Sequence, residues 1–221
     1  MSVIADWIEW LPALAGGLWL SVRITAVSLI VGLPIGLLLA VMASSHNRMA
    51  RIVSVVIVEI GRGAPALVVL QLFYFGLPSV GITLSSFVAA GSALALTTAA
   101  FTSEILRAGL QAVPAGEVEA CKTLGVSPRD TLRFVVIPQG LRIALPALMG
   151  FSILIFQATS LTFTIAVPEL LSQAYSIGAT TFNYLSVLVL AGLLYAMITI
   201  PASWLVVSTE KKMSRHLSYA R

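Results

Sequence analysis

A chain of 221 residues that is 58% hydrophobic and 10% charged is too apolar for a soluble domain, where charge reaches about 25%, and too apolar for disorder. Its one cysteine, Cys121, rules out a disulfide framework within the chain. The net charge of +4 and the pI near 9.6 do not mark a nucleic-acid patch, because the cations lie in a pattern of another kind.

Five windows are apolar over the roughly 20 residues that a helix needs to cross a bilayer. They are 18–41, 53–76, 87–110, 143–166 and 184–207. The first holds one charge, Arg23, placed to snorkel at the outer edge. Its Gly32-Leu33-Pro34-Ile35-Gly36 run suits close helix contact around a proline kink. No basic segment precedes it, so the span is expected to insert the chain without a cleaved signal. Arg48 and Arg51 follow. The second window carries Glu59, Arg62 and a kink at Pro65, and residues 77–86 are uncharged. The third carries Glu104 and Arg107, with Thr97 and Thr98 two turns away from Glu104. The fourth has Gln157, Thr159, Ser160 and Thr162 in an apolar run, and a kink is expected at Pro146. Residues 167–183, with Glu169 as their one charge, read as an external loop. The fifth contains Pro201 and precedes Lys211, Lys212, Arg215 and Arg221.

Ten of the 13 Lys and Arg residues therefore lie on one side: the 42–52 connection, the 111–142 connection and the tail. The positive-inside rule predicts an external N-terminus and a cytoplasmic C-terminus, as an odd number of spans requires. The expected fold is an all-α membrane protein of one domain, residues 1–221. No phosphate-binding Gly-x-x-x-x-Gly-Lys-Ser/Thr run occurs, which predicts no ATP site in this chain. His46 and His216 lie in basic surface segments and Cys121 has no Cys or His neighbour, so neither a metal site nor a catalytic triad is expected.

The 111–142 connection is the longest. Apolar Val118, Cys121 and Leu124 recur every three residues along one helical face, and Gly125 is a stop. Ser127-Pro128-Arg129-Asp130 reads as a new start, with Ser127 as N-cap and Asp130 as the acid of a capping box. That second helix is expected to end by Pro138. Physics alone gives two short helices at the mouth of a bundle, and a plain connecting loop fits equally well.

Glu119-Ala120-Cys121, three residues, Gly125, nine residues, then Val135-x-Ile137-Pro138 closely resembles the EAA motif of ABC importer permeases. Cys121, Val135 and Ile137 stand where that motif has Ala, Ile and Leu. Glu104-Ile105-x-Arg107-x-Gly109-x-Gln111-x-Val113-Pro114, Pro138-Gln139-x-x-Arg142, Thr159-Ser160-Leu161 and Glu59-x-x-Arg62-Gly63-x-Pro65 resemble the polar-amino-acid subfamily, the histidine, glutamine and arginine type. The resemblance implies a type I importer permease core in the bacterial cytoplasmic (inner) membrane. It implies a second permease subunit, two ATP-binding subunits that hold ATP and Mg, and an external solute-binding protein. This chain would hold no cofactor and bind no nucleic acid. The resemblance makes the EAA segment a coupling helix: Glu119 for polar contact with the ATPase, Ala120 beside it, and Val118, Cys121 and Leu124 for the apolar face. Gly125 would let the backbone turn close to that partner. The alternative is a self-sufficient secondary transporter or channel with Glu104 as an ion site.

Two readings fit the intramembrane charges. Each Glu precedes an Arg by three on one helix face. Glu59, Arg62, Glu104 and Arg107 either clamp spans 2 and 3 as ion pairs or border a polar path. The resemblance favours a path bordered by Glu104, Thr97, Thr98, Gln157, Thr159 and Ser160. Ser and Thr in membrane helices also serve as packing residues bonded to their own backbone. Gln157-Ala158 replaces the family's Lys-Asp or Lys-Ser, Gly150 a familiar Asn and Val69 a familiar Gln. The missing acid at Ala158 favours a neutral polar solute over a strongly basic one, or a site carried by the partner permease.

Overall fold

A computed structural model describes residues 3–45 and 47–218, without the side chains of 214–218. His46 and Arg221 lie outside the described residues, as do the side chains of Arg215 and His216. The described residues are helical with short connections: α1 (Val3–Ala43), α2 (Arg48–Gly63), α3 (Ala66–Gln71), α4 (Ser86–Gln111), α5 (Ala115–Thr123), α6 (Pro128–Thr131), α7 (Ile137–Ala158), α8 (Leu170–Thr181) and α9 (Tyr184–Ser218). Among them, four stretches are long and apolar enough to cross a membrane: Val3–Ala43, Ser86–Gln111, Pro128–Ile165 and Tyr184–Met213. The bent pair Arg48–Gly63 and Ala66–Val80 makes a fifth if it counts as one span.

The central post is α4. Ala89, Ala90, Gly91, Ala93, Ala95, Ala99 and Ala100 are all buried on it, and their small side chains let α1 and α7 approach closely. On α1 the buried stripe Ser21, Ile24, Ser28, Gly32, Gly36 and Leu39 steps by three or four residues, the period of one helix face. A Cβ at Gly32 would lie 2.6 Å from Thr98 Cβ and 2.7 Å from the Ala95 carbonyl oxygen. The glycine pair thus seats α1 on α4 in the manner its spacing predicts. Pro34 lies inside the helix without ending it. Against α7, Gly109 packs on Gly140 and Ala144, and Phe101 stacks on Phe151 with centroids 5.7 Å apart. The two helices are therefore antiparallel.

Several expected boundaries need correction. The first helix begins at Val3, not near residue 18. Its 41 residues span roughly 60 Å, twice the ~30 Å of hydrocarbon. The additional turns are held by α8 and α9: Trp10 and Leu14 join their core, and Trp7 Nε1 donates to Ser186 Oγ at 2.8 Å. The second window is not one straight helix. It breaks at Ala64-Pro65 with a bend of 98°, because Pro65 forces Ala64 into extended backbone (φ −82°, ψ 127°). The helix that starts at Pro128 does not end by Pro138. It runs through a π-helical stretch, Leu132–Val136, into α7, and Pro138, just after that stretch, does not end it. The loop expected over 111–142 is therefore helical from Pro128 onward. The fourth window ends as a 3-10 turn over Thr159–Ile165. Residues 167–183 are not loop alone but contain α8.

Candidate functional site

The coupling segment forms at one end of the bundle. After Pro114, α5 runs from Ala115 to Thr123 and stops at Gly125, whose φ is +72°. The Val126 N–H donates to the Cys121 carbonyl at 3.0 Å, and the Gly125 N–H to that of Lys122 at 3.1 Å. These are the two bonds of a Schellman stop, which needs the left-handed conformation that glycine adopts at no steric cost. No atom within this chain comes within 4 Å of a Cβ built at Gly125, so conformation and not internal crowding selects the glycine. Ser127 caps the next helix as expected. Its Oγ accepts from the Asp130 N–H at 3.2 Å and its hydroxyl donates to Asp130 Oδ2 at 2.7 Å.

The apolar face expected on α5 is divided. Leu124 is 80% exposed and stands clear of the protein. Cys121 is half-buried, and Val118 with Lys122 lines a groove against the ends of α1 and α4. Glu119 and Ala120 are exposed.

Among the described residues, the salt bridges of the intramembrane charges form within helices. Arg62 Nη1 lies 3.8 Å from Glu59 Oε1 on α2. On α4, Arg107 Nη2 donates to Glu104 Oε2 at 2.7 Å and its Nε to Oε1 at 3.1 Å. Arg107 Nη1 reaches Gln111 Oε1 at 3.1 Å. What joins the elements here is aromatic: the Arg62 guanidinium lies 5.8 Å above the Phe101 ring, which stacks on Phe151. Three elements, α2, α4 and α7, thus meet at one level, next to the α2 break.

The other path candidates lie on α4 and on α7 or the turn after it. Thr97 lies seven residues from Glu104, roughly 10 Å along α4. Gln157, near the end of the antiparallel α7, and Ser160, in the 3-10 turn after it, lie beyond Phe151, on the Thr97 side. Thr98 faces α1 at Gly32 and its hydroxyl donates to the Leu94 carbonyl at 2.7 Å. Thr97 donates to Ala93 at 3.2 Å, Thr159 to Phe156 at 2.7 Å and Ser160 to Gln157 at 2.8 Å. Thr98 and Thr159 are fully buried. Gln157 is exposed and Ser160 half-exposed. The structure therefore puts Thr97, Gln157 and Ser160 on one side of the Phe101 and Phe151 stack and Glu104 on the other.

A polar centre lies where the sequence reading left a loop. Glu169 is fully buried. Its Oε1 accepts from the Ser172 N–H and its Oε2 from the Leu171 N–H, each at 2.9 Å, which caps α8. Oε2 also accepts from the Tyr195 hydroxyl at 2.9 Å and the Ser21 hydroxyl at 3.4 Å. One carboxylate so ties α8 to α1 and α9. The available signal was its place as the sole charge in residues 167–183.

The family model "Binding-protein-dependent transport system inner membrane component" matches residues 32–215. The chain is 32% identical to the arginine transport system permease protein ArtQ of Bacillus subtilis (strain 168), over 93% of this chain and 94% of that one. It is 35% identical to the nopaline transport system permease protein NocM of Agrobacterium fabrum, over 95% and 91%. It is 33% identical to the histidine/lysine/arginine/ornithine permease protein HisM of Salmonella typhimurium, over 91% and 88%. A crystal structure of an amino acid ABC transporter with histidines superposes with a TM-score of 0.88 at 31% identity, covering 96% of this chain and 99% of that one. An inward-facing methionine transporter, MetNI, shares the fold with a TM-score of 0.70 at 24% identity.

Proposed function

The chain belongs to the family of binding-protein-dependent transport system inner membrane components, and from that membership we infer that it is the permease subunit of an ATP-driven importer for a polar amino acid or related small solute. The need for partners sets this reading above a self-sufficient transporter or channel. In it a second permease subunit, identical or related, completes the path. Two ATPase subunits bind ATP and Mg, and an external binding protein delivers solute. The chain lies in the bacterial cytoplasmic membrane with five spans, the α2–α3 pair being one broken span, its N-terminus outside and its C-terminus inside.

The observation that carries the coupling role is the exposed α5 stopped by left-handed Gly125. Glu119, Ala120 and Leu124 face outward to meet the ATPase, while Val118 faces the groove behind α5 and Cys121 is half-buried. Closure of the ATPase pair moves α5, and α6 runs without a break into α7, so the motion reaches the bundle as that of a rigid lever. Gly125→Asp should lower coupled uptake at least tenfold while insertion persists, because an L residue strains the stop by about 1–2 kcal/mol and brings charge to the docking face. Wild-type uptake and solute-stimulated ATP hydrolysis in that variant would overturn the assignment.

For the path, the Arg62, Phe101 and Phe151 stack separates an outer side, with Thr97, Gln157 and Ser160, from the Glu104 and Arg107 pair. Thr98 and Thr159 support that side from behind. A zwitterion presents both charges, and Glu104 and Arg107 offer one of each. The uncharged Ala158 leaves no acid there for a basic side chain, which favours a neutral polar solute. Glu104→Gln keeps the shape and removes the charge. Assembly should persist while uptake falls or its solute preference shifts. Unchanged kinetics across solutes in a fully assembled complex would move the site to the partner permease.

A further inference from the structure

The ends of α1 and α4 and the segment from α5 to residue 136 enclose a groove of about 710 Å³. Its floor is apolar, with Val41, Leu110, Val118, Val126 and Leu132 among the lining residues. Lys122 and Arg129 are the charged residues that line it, and no Asp or Glu does. Neither cation takes part in an ion pair among the described residues. Both are exposed.

The occupant must match an apolar trough with two unpaired cations at its edge. A peptide strand fits poorly. It would bring backbone N–H and C=O groups against a floor that cannot bond them. Its polar lining groups already have partners: Ser44 donates to the Ala40 carbonyl at 3.0 Å and Thr131 to that of Ser127 at 3.0 Å, Ser45 Oγ accepts from the Asn47 N–H at 3.1 Å, and Gln111 Oε1 accepts from Arg107 at 3.1 Å. An acyl chain needs no such partners, and a phosphate needs only the cations. Depth agrees. Val41 and Leu110 are near the last apolar residues of their helices, where hydrocarbon gives way to headgroups.

We propose that this groove seats an anionic phospholipid, with its acyl chain along Val118, Val126 and Leu132 and its phosphate held by Lys122 and Arg129. The proposal rests on the topology given above, which turns this end of the bundle to the cytoplasmic leaflet. Because α5 forms one wall, the bound lipid would brace the coupling helix from the membrane side and leave Glu119 and Leu124 free for the ATPase.

The test uses the assembled importer, equilibrated with mixed phosphatidylglycerol and phosphatidylcholine vesicles and then examined by native mass spectrometry. Wild type should retain phosphatidylglycerol in preference to phosphatidylcholine. Lys122→Gln with Arg129→Gln should lower its retention roughly 30-fold, from about a fivefold factor per cation near an anionic surface. Arg48→Gln with Arg51→Gln, which removes an equal charge outside the groove, should retain it. Ser45→Trp keeps both cations and fills the trough, and should also lose the lipid. The same spectra count ATPase subunits, so failure of the importer reading shows in the wild-type stoichiometry and is separate from lipid retention. Equal retention of the two lipids, or undiminished phosphatidylglycerol in the double variant, would overturn the proposal. Loss of ATPase subunits with lipid retained in that variant would also overturn it and assign the two cations to the ATPase.

Discussion

Glu169 carries four hydrogen bonds on two oxygens, all from donors and none from a cation. A buried carboxylate is tolerable when such donors replace its water. The same residue does two things here. It satisfies two orphan N–H groups at the start of α8, and it joins that helix to Ser21 of α1 and Tyr195 of α9. Glu169→Ala would leave those donors buried without an acceptor, at about 1–3 kcal/mol for each that water cannot reach. The purified complex should melt well below wild type. Glu169→Gln retains one acceptor oxygen but turns an NH₂ group towards donors, so it should fall between the two. An alanine variant with the wild-type melting temperature would show that water or local movement relieves the site. Sequence reasoning missed this residue because N-cap signals rest on short Ser, Thr, Asp and Asn side chains, and here the longer Glu reaches round. The same limit acts at Glu104. Its spacing to Arg107 announced a pair on one face, but spacing alone does not say whether such a pair faces another helix or a cavity.

At the scale of elements, the features legible in the sequence were those set by local chemistry. Gly125 at the stop, the Ser127 cap and the Gly32 and Gly36 contact are each dictated by a few adjacent atoms. The break at Pro65 was foreseen as a kink. Its 98° angle was not, because the size of a bend depends on what the following helix packs against: Val69 and Leu70 of α3 are buried in the core of α1 and α4. The passage through Leu132–Val136 was hidden for a related reason. A π-helical bulge adds no distinctive residue, so Pro138 read as an end when it is the first turn of α7. Helix α8 was hidden because 12 residues between two long apolar runs resemble a loop. The helix contacts lend themselves to a paired test. Gly32→Ala must push against backbone at Ala95 as well as Thr98, and should cost about 1–3 kcal/mol through overpacking. Gly16→Ala meets nothing within 4 Å and should be neutral or slightly stabilising, by up to about 1 kcal/mol. Thermal melts of the two complexes decide the matter. Equal stability would mean that α1 can shift away from α4 without penalty.

On the scale of the whole molecule, charge and apolar surface are segregated along the helix axes. Arg48, Arg51, Lys122, Arg129 and Arg133 belong to segments that meet at one end, where the ends of α1 and α4 approach α5 and α6. At the opposite end of α4, Arg23 lies 5.2 Å above the Phe87 ring, its charge held over an aromatic face. Between the two ends, large apolar side chains such as Ile30, Leu38, Leu154 and Trp204 are exposed. Water is a poor solvent for such a surface, and a bilayer or a second permease subunit is a good one. In the proposed topology the excess of Lys and Arg turns the basic end to the cytoplasm. Counting the bent α2–α3 pair as one span then leaves the chain's two ends on opposite sides, whereas a re-entrant pair would put them on the same side. Accessibility separates these arrangements. In a Cys121→Ser background, Ser79→Cys lies in the uncharged turn after the broken span and should react with a membrane-impermeant maleimide in intact cells. Lys212→Cys, near the end of α9, should react only after permeabilisation. The reverse pattern, Lys212→Cys labelled from outside and Ser79→Cys only after permeabilisation, would mean with an external N-terminus that the α2–α3 pair does not cross. The coupling helix would then have to be assigned a side by a third cysteine at Glu117, which is exposed on α5 and should react only from the cytoplasm if ATPase docking is its role.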